Sequence, residues 1–153
     1  MAAASAVVPP VADLRRVGTD AGLDVVAVAS AEPFVDVRAT LEERRAQGLH
    51  GGMAFTYRNP ARSTEPGRAL PDARSLVVGA RAYLEAEGGP PGGGPAGRVA
   101  RYARTDHYGE LRAGLDAVAL VLRAAGWRTR VLVDDNALVD RAAAHRAGIG
   151  WWG

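Results

Sequence analysis

Two adjacent carboxylic acids, Asp134 and Asp135, follow a short hydrophobic run near the end of the sequence. In open α/β sheets ligands bind beyond the carboxyl ends of the strands, which is where this pair is expected to lie. A carboxyl group partly buried under a ligand can have a raised pKa and deliver a proton. Helix capping and turn formation would use the same residues, so spacing alone leaves both interpretations open. Asp140 and Arg141, further on, are interpreted as helix-dipole and salt-bridge residues.

A second group of residues combines cations with aromatic rings. Arg98, Arg101 and Arg104 lie in one short stretch with Tyr102 and Tyr108. Cations bind phosphates and aromatic faces stack on bases, so the stretch indicates RNA binding, with a solvated arginine surface as the alternative. All 19 basic residues of the chain are arginine; the net charge is +2 and the isoelectric point is about 9.5.

Several kinds of chemistry are excluded by the residues that are missing. The chain has no cysteine, which excludes disulfides, thiolate zinc sites and iron–sulfur clusters held by this chain alone. It has no lysine, which excludes a Schiff base and a Walker-type phosphate loop. His50, His107 and His145 lack a paired spacing, so no metal site is predicted. The glycine-rich segment does not match a dinucleotide fingerprint, and no hydrolase triad is indicated.

Hydrophobic periodicity and turn residues predict alternating helices and strands. Helices are expected at 10–22, 35–47, 106–126 and 137–147, the last capped by Asp135 or Asn136. Buried strands are expected at 25–29, 75–83 and 129–133, and a long irregular loop at 50–71. This order predicts an α/β fold, a layered sheet with flanking helices, with α+β as the alternative.

The 153 residues are expected to form a single domain in which 1–9 is a loose leader and 88–97 a surface loop rich in glycine and proline. The longest apolar stretch of the helical part, 117–122, is far shorter than the roughly 20 residues of a membrane span. With no basic segment before the apolar start, a cytoplasmic protein is expected. The terminal Trp151 and Trp152 either fold back onto the body or indicate that the natural polypeptide continues.

Three segments resemble the N-terminal domain of epoxyqueuosine reductase. They are RVARYARTDHY (98–108), VLVDDNALVDRAAAHRAGIGWWG (131–153), and LHGGMAFTYRN (49–59) followed by LPDARSLVVGARAY (70–83). The last part of the chain is the most specific, because a strand, V-D, a short turn and R-A-x-A-x-R-A-G-I-G-W follow in order. The similarity is collinear and extends over nearly the whole chain.

This resemblance implies a fold similar to cobalamin-processing and reductive-dehalogenase domains. It implies the cofactor cobalamin, as cob(II)alamin, and an oxidoreductase that reduces the epoxide of epoxyqueuosine in a tRNA anticodon loop to queuosine. The family carries two [4Fe–4S] clusters on cysteine motifs that follow the region matched here. The chain is therefore expected to be the N-terminal half of a longer enzyme, unable to turn over alone. A monomer is expected, with a separate electron-donor protein as a further partner.

The resemblance also implies roles for individual residues. The family's general acid corresponds to Asp134, which would protonate the departing epoxide oxygen. Corrin contacts correspond to Arg62, Ala100, Arg101, Tyr102, Asp134, Asn136 and Val139, some of them through backbone groups. Arg98, Arg104 and Tyr108 are expected to contact tRNA.

The sequence departs from the family pattern after R-Y-A. Thr105, His107 and Gly109 stand where the family usually has Gly, Asp and His, whereas Tyr108 is kept. Asp140 stands where many members have Glu. Two alternatives therefore remain beside the enzyme domain: a non-catalytic RNA-binding module or degenerate fragment, and, more weakly, a flavin- or nucleotide-binding α/β domain.

Overall fold

The structure, a computed structural model, describes residues 7–84, 97 and 99–152. The predicted leader and glycine-rich loop therefore lie largely outside the described residues. The helices are α1 (Val11–Asp20), α2 (Val35–Ala46), α3 (Pro60–Ser63), α4 (Pro66–Ala69), α5 (His107–Ala124) and α6 (Asp140–Arg146). The strands are β1 (Val25–Ser30) and β2 (Ser75–Ala80), and single 3₁₀ turns occupy Phe55–Arg58 and Arg101–Ala103.

The two strands form an antiparallel sheet whose register runs from Val25 opposite Ala80 to Ser30 opposite Ser75. β2 ends earlier than predicted, at Ala80, because β1 offers no further backbone partner. The side chain of Asp24 replaces it: its carboxylate accepts a hydrogen bond from the backbone N–H of Ala82 at 2.6 Å.

Helices cover both faces of this sheet. On one face, Gly79 of β2 lies under Leu23 and Leu115, so α5 approaches the strand closely. On the other face Leu76 and Val78, which point the opposite way along β2, pack against a core cluster. The buried members of that cluster are Phe34, Val139, Ala142 and Ala143. The predicted layered arrangement of helices on a sheet is confirmed.

The third predicted strand, 129–133, is wrong: the structure has no strand there. The β-branched run favours an extended backbone, but a strand also needs a ladder of backbone hydrogen bonds to a neighbour. Here arginine side chains make the connection instead. Arg128 donates to the carbonyl of Pro71 at 2.6 Å, and Arg130 donates to the carbonyl of Ala69 at 2.8 Å.

The loop predicted at 50–71 is interrupted by a 3₁₀ turn and by α3 and α4. Asn59 begins α3, since its side chain accepts a hydrogen bond from the N–H of Arg62 at 3.1 Å. Among the described residues, no helix combines the length and apolar character that crossing a membrane requires.

A pair of glycine substitutions tests the packing of α1 on the sheet. In Gly18→Ala the new methyl group would clash with Cγ2 of Val26, a core residue that is 2% exposed. We expect a loss of about 1–3 kcal/mol in the free energy of unfolding, because the core must shift. Gly67→Ala is the matched control, since nothing lies within 4 Å of its added methyl group. Equal urea midpoints for the two variants would contradict this packing.

Candidate functional site

Asp134 lies in a backbone conformation that L-amino acids seldom adopt. Its φ is +50°, in the left-handed region, which Asp and Asn tolerate better than other side-chain-bearing residues. Asp135 builds the turn that follows: its carboxylate accepts from the N–H of Ala137 at 2.9 Å, and its carbonyl accepts from the N–H of Leu138 at 3.3 Å. This turn directs the chain from the extended segment into α6.

The predicted start of the last helix is therefore wrong by several residues. Neither Asp135 nor Asn136 caps α6, which begins at Asp140 after Val139 without a side-chain cap. The carboxylate of Asp135 bonds to the amide two residues on, as Asp does in a local turn, so it is not available to the amides of a helix.

The phenol of Tyr108, in the first turn of α5, faces Asp134. The negative charge of Asp134 is the main reason that the pKa of Tyr108 is raised, followed by burial and by the nearby Tyr102. A hydrogen bond with the Asp134 side chain and the charge of Asp140 act in the same direction. The helix that carries Tyr108 is capped by Asp106, whose carboxylate accepts from the N–H of Gly109 at 2.9 Å.

Asp140 completes a group of three carboxylates. Its pKa is raised to about 6, mainly because the surrounding protein removes water from its carboxyl, and further by the charges of Asp134 and Asp135. The residue as a whole remains exposed at the start of α6, so solvent screens part of this effect. A carboxyl with such a pKa holds a proton in a large fraction of molecules near pH 6.

Aromatic rings extend the site away from the carboxylates. Tyr83, just beyond β2, meets Tyr102 edge to face with ring centres 6.5 Å apart, and His107 with ring centres 5.6 Å apart. Nδ1 of His107 is buried and makes no hydrogen bond with any described residue. The carboxylate of Glu110 lies 3.9 Å from it and is itself held by Arg81 at 2.9 Å.

The structure brings some predicted residues together and separates others. Asp134, Tyr102 and Tyr108 share one cluster through the interactions just described. Ala100 begins the 3₁₀ turn that presents Arg101 and Tyr102. Arg101 is half-buried there.

The remaining predicted residues have other surroundings. Arg104 is exposed and donates to the carbonyl of Val99 at 3.0 Å, and Asn136 is exposed in the turn before α6. Arg62 is exposed on α3. The side chain of Val139 is buried in the core, 8% exposed, so a ligand would meet its backbone. Arg98 lies outside the described residues.

Three members of the cluster were not among the site residues expected from sequence: Tyr83, His107 and Asp140. Asp140 was interpreted as a helix-dipole residue and His107 as a departure from a family pattern. Only the tertiary structure brings their side chains toward Asp134 and Tyr102. Among the described residues, no group of three His, Cys, Asp or Glu has the arrangement that would hold a metal ion.

The curated proteins to which this chain is similar are epoxyqueuosine reductases. The epoxyqueuosine reductase of Staphylococcus aureus is 32% identical over 138 residues, which are 86% of this chain and 36% of the relative. The epoxyqueuosine reductase of Gloeobacter violaceus is 29% identical and covers 95% of this chain and 46% of its own length. The chain thus spans less than half the length of these curated relatives. No protein-family model matches it.

The solved structures that resemble this chain are also epoxyqueuosine reductases. A crystal structure of epoxyqueuosine reductase with an epoxyqueuosine-modified tRNA-Tyr stem loop superimposes with a TM-score of 0.76 at 28% identity, covering 92% of this chain and 38% of that one. Epoxyqueuosine reductase from Streptococcus thermophilus gives a TM-score of 0.80 at 23% identity over 93% of this chain and 39% of that one, which shows the fold alone. The resemblance predicted from the sequence is confirmed: the chain is similar to one part of the epoxyqueuosine reductases.

The raised pKa of Asp140 predicts an inverse dependence of stability on pH. Unfolded, this carboxyl ionises near its ordinary value of 3.8; folded, it ionises near 6. The folded state therefore binds more protons between these values, and its stability falls as pH rises through that window. We expect Asp140→Asn to be more stable than the parent above pH 6, by about 1 kcal/mol after allowance for screening, and equally stable below pH 4.

Urea denaturation at a series of pH values measures this difference. Asp134→Asn provides the coupling control: with the neighbouring charge removed, the same Asp140→Asn step should stabilise the protein less. Parallel pH profiles for the parent and Asp140→Asn would contradict the assignment.

Proposed function

We propose that this chain is the cobalamin- and tRNA-binding part of an epoxyqueuosine reductase, with Asp134 as the proton donor. The observation that carries the proposal is the position of Asp134 in a left-handed turn of the segment that resembles the family most specifically, with its charge close enough to act on the phenol of Tyr108. Both residues occupy positions that the family resemblance assigned to the site. Similarity to epoxyqueuosine reductases over 86% of the chain supports the same reaction class.

The aromatic rings of the cluster fit the flat ring of a corrin. Tyr83, Tyr102 and Tyr108 are exposed there; Leu84, next to Tyr83 in sequence, and Val99, just before the 3₁₀ turn, are exposed as well. Exposed large apolar side chains close together are typical of a ligand-binding surface. The buried and unpaired Nδ1 of His107 beside Tyr83 is a polar atom that a ligand could satisfy.

Residues of both polar and apolar type would hold cobalamin here. Tyr102 offers a ring face and Arg101 a guanidinium for polar groups of the corrin. Ala100, Asn136 and Val139 would contribute mainly through their backbone, since the side chain of Val139 is in the core. Arg62 would approach from α3. When bound, cobalamin supplies the reduced cobalt that activates the epoxide carbon.

The residues of the chain would then supply the proton that the reaction consumes. As the C–O bond of the epoxide breaks, the departing oxygen gains negative charge and needs a proton. Asp134 would donate it from its protonated form, beside the phenol of Tyr108. Asp140 is a second carboxyl of the same group, and with a pKa of about 6 it can hold a proton there near pH 6.

RNA binding would use basic and aromatic side chains of the segment that carries Tyr102. Arg104, together with Arg98 outside the described residues, would neutralise phosphates of the anticodon loop, and Tyr108 would meet the modified nucleotide. The solved relative with a modified tRNA stem loop supports tRNA as the ligand. Electrons would come from iron–sulfur clusters or an electron-donor protein outside this chain, which has no cysteine.

A matched pair of variants tests the proton donor, in a protein that combines this chain with the cluster-bearing part of a relative. Asp134→Asn cannot donate the proton, so we expect epoxide reduction to fall by at least about 100-fold while cobalamin binding is retained. Asp135→Asn is the control, since the amide oxygen of Asn can still accept from Ala137. Turnover of Asp134→Asn at the parent rate, measured by nucleoside analysis of the tRNA product, would refute the role of Asp134.

A further inference from the structure

One cleft of the structure is lined by none of the residues grouped around Asp134. Its volume is about 300 Å³, and it opens between the end of α2 and the 3₁₀ turn Phe55–Arg58. Arg45, His50, Met53 and Tyr57 contribute to its lining together with Arg58. Ligand pockets of proteins occupy about 300–1,000 Å³, so this cleft has room for one nucleotide and not for a corrin.

The backbone around the cleft takes a path that only particular residues allow. Gly51 and Gly52 both have positive φ, +58° and +74°. Phe55, which is not glycine, also has a positive φ of +26° and leaves 61% of its surface exposed. Unfavourable backbone conformations of this kind concentrate at ligand-binding and active sites.

The side chains of the cleft combine a positive charge with aromatic faces. Arg45 donates to the carbonyl of Tyr57 at 3.2 Å and thereby ties α2 to the 3₁₀ turn. Arg58 is exposed at the rim. The rings of His50 and Tyr57 lie 5.9 Å apart at 44°. The lining formed by the described residues includes no Asp or Glu, so an anion would meet no opposing carboxylate there.

His50 supplies a second, independent pointer to a ligand. Its Nδ1 is buried and has no hydrogen-bond partner among the described residues. Buried polar atoms of folded proteins nearly always have a partner, either within the protein or in a bound molecule. A ribose hydroxyl or the edge of a base in the cleft is one such partner, which a rotation of the imidazole would bring within reach.

We infer that this cleft binds one nucleotide of a single-stranded RNA, with Arg58 on its phosphate and the ring of Tyr57 against its base. Arginine with an aromatic ring is the usual combination for single-stranded RNA, because it matches a charged backbone and a flat base without requiring a sequence. The inference rests on the proposed function in that RNA is the ligand. It adds a contact made by none of the residues grouped around Asp134, so the RNA would be bound at two places on this chain.

Fluorescence anisotropy with a labelled RNA hairpin carrying a tRNA anticodon loop tests this directly on the full chain. We expect Arg58→Ala to weaken binding about fivefold or more and to reduce the slope of log affinity against log salt by about 0.7, the value for one phosphate of a single strand. Tyr57→Ala should weaken binding by a similar factor with an unchanged salt slope. Tyr57→Phe, which keeps the ring, should bind like the parent.

Arg16→Ala is the matched control for charge, since Arg16 lies on α1, pairs with Asp13 and Asp20, and is not part of the cleft. If Arg58→Ala and Arg16→Ala weaken binding equally, the cleft makes no specific contact and the inference is overturned. Tight RNA binding in which neither cleft residue matters would overturn the inference and leave the proposed function standing. Failure of the parent chain to bind the hairpin at all would count against both.

Calorimetry with free AMP separates RNA from a free nucleotide as the ligand. Binding of AMP that depends on Arg58 and Tyr57, in a chain that does not bind the hairpin, would assign the cleft to a mononucleotide and reject RNA. Weak or undetectable AMP binding beside tight binding of the hairpin is the result expected here, because a single nucleotide lacks the contacts of the strand on either side.

Discussion

The docking of α6 on the end of β1 is the constraint on which the candidate site depends. Arg146, at the end of that helix, donates to the carbonyls of Ser30, Glu32 and Pro33. Its guanidinium also stacks on the ring of Phe34, 3.5 Å from the ring centre. A helix of seven residues is not stable by itself in water, so these contacts and the buried alanines beside them hold it in place.

Asp134 and Asp140 take their positions from that docking. The segment before them forms no strand ladder that would fix its position. The turn is therefore held on its C-terminal side by α6. On its N-terminal side it is held by the hydrogen bonds of Arg128 and Arg130 to the carbonyls of Pro71 and Ala69. Bringing three carboxylates together raises their mutual repulsion, and strained or repulsive groupings of titratable side chains of this kind are typical of functional sites.

Much of the fold followed from local patterns, because apolar periodicity and glycine stops are local signals. α2 and α5 begin within a residue of the predicted positions and end within two of them. Segment 129–133 could not be predicted correctly, because its composition is typical of a strand, while arginine side chains rather than backbone amides donate its hydrogen bonds to the carbonyls of the neighbouring segment. The start of α6 was missed for a related reason: Asp135 satisfies an amide two residues away and thereby delays the helix.

The candidate site likewise contains residues that the sequence predicts and residues that it does not. Asp134 could be found from its position after a hydrophobic run, and Tyr108 from the family pattern. Asp140 and Tyr83 could not be found from the sequence, because they join the site only when separate elements of the fold bring their side chains close to the other members. The pKa of Asp140 is raised by the removal of water together with the charges of Asp134 and Asp135. The spacing of residues in the sequence does not predict that these three effects act on one carboxyl.

Titration of the purified chain with cob(II)alamin, followed by visible absorbance and gel filtration, shows whether the chain binds the cofactor. We expect near-equimolar co-elution of cofactor and protein, with a shifted cobalt spectrum. An unchanged spectrum and no co-elution, both for this chain and for a form extended beyond Gly153, would contradict it.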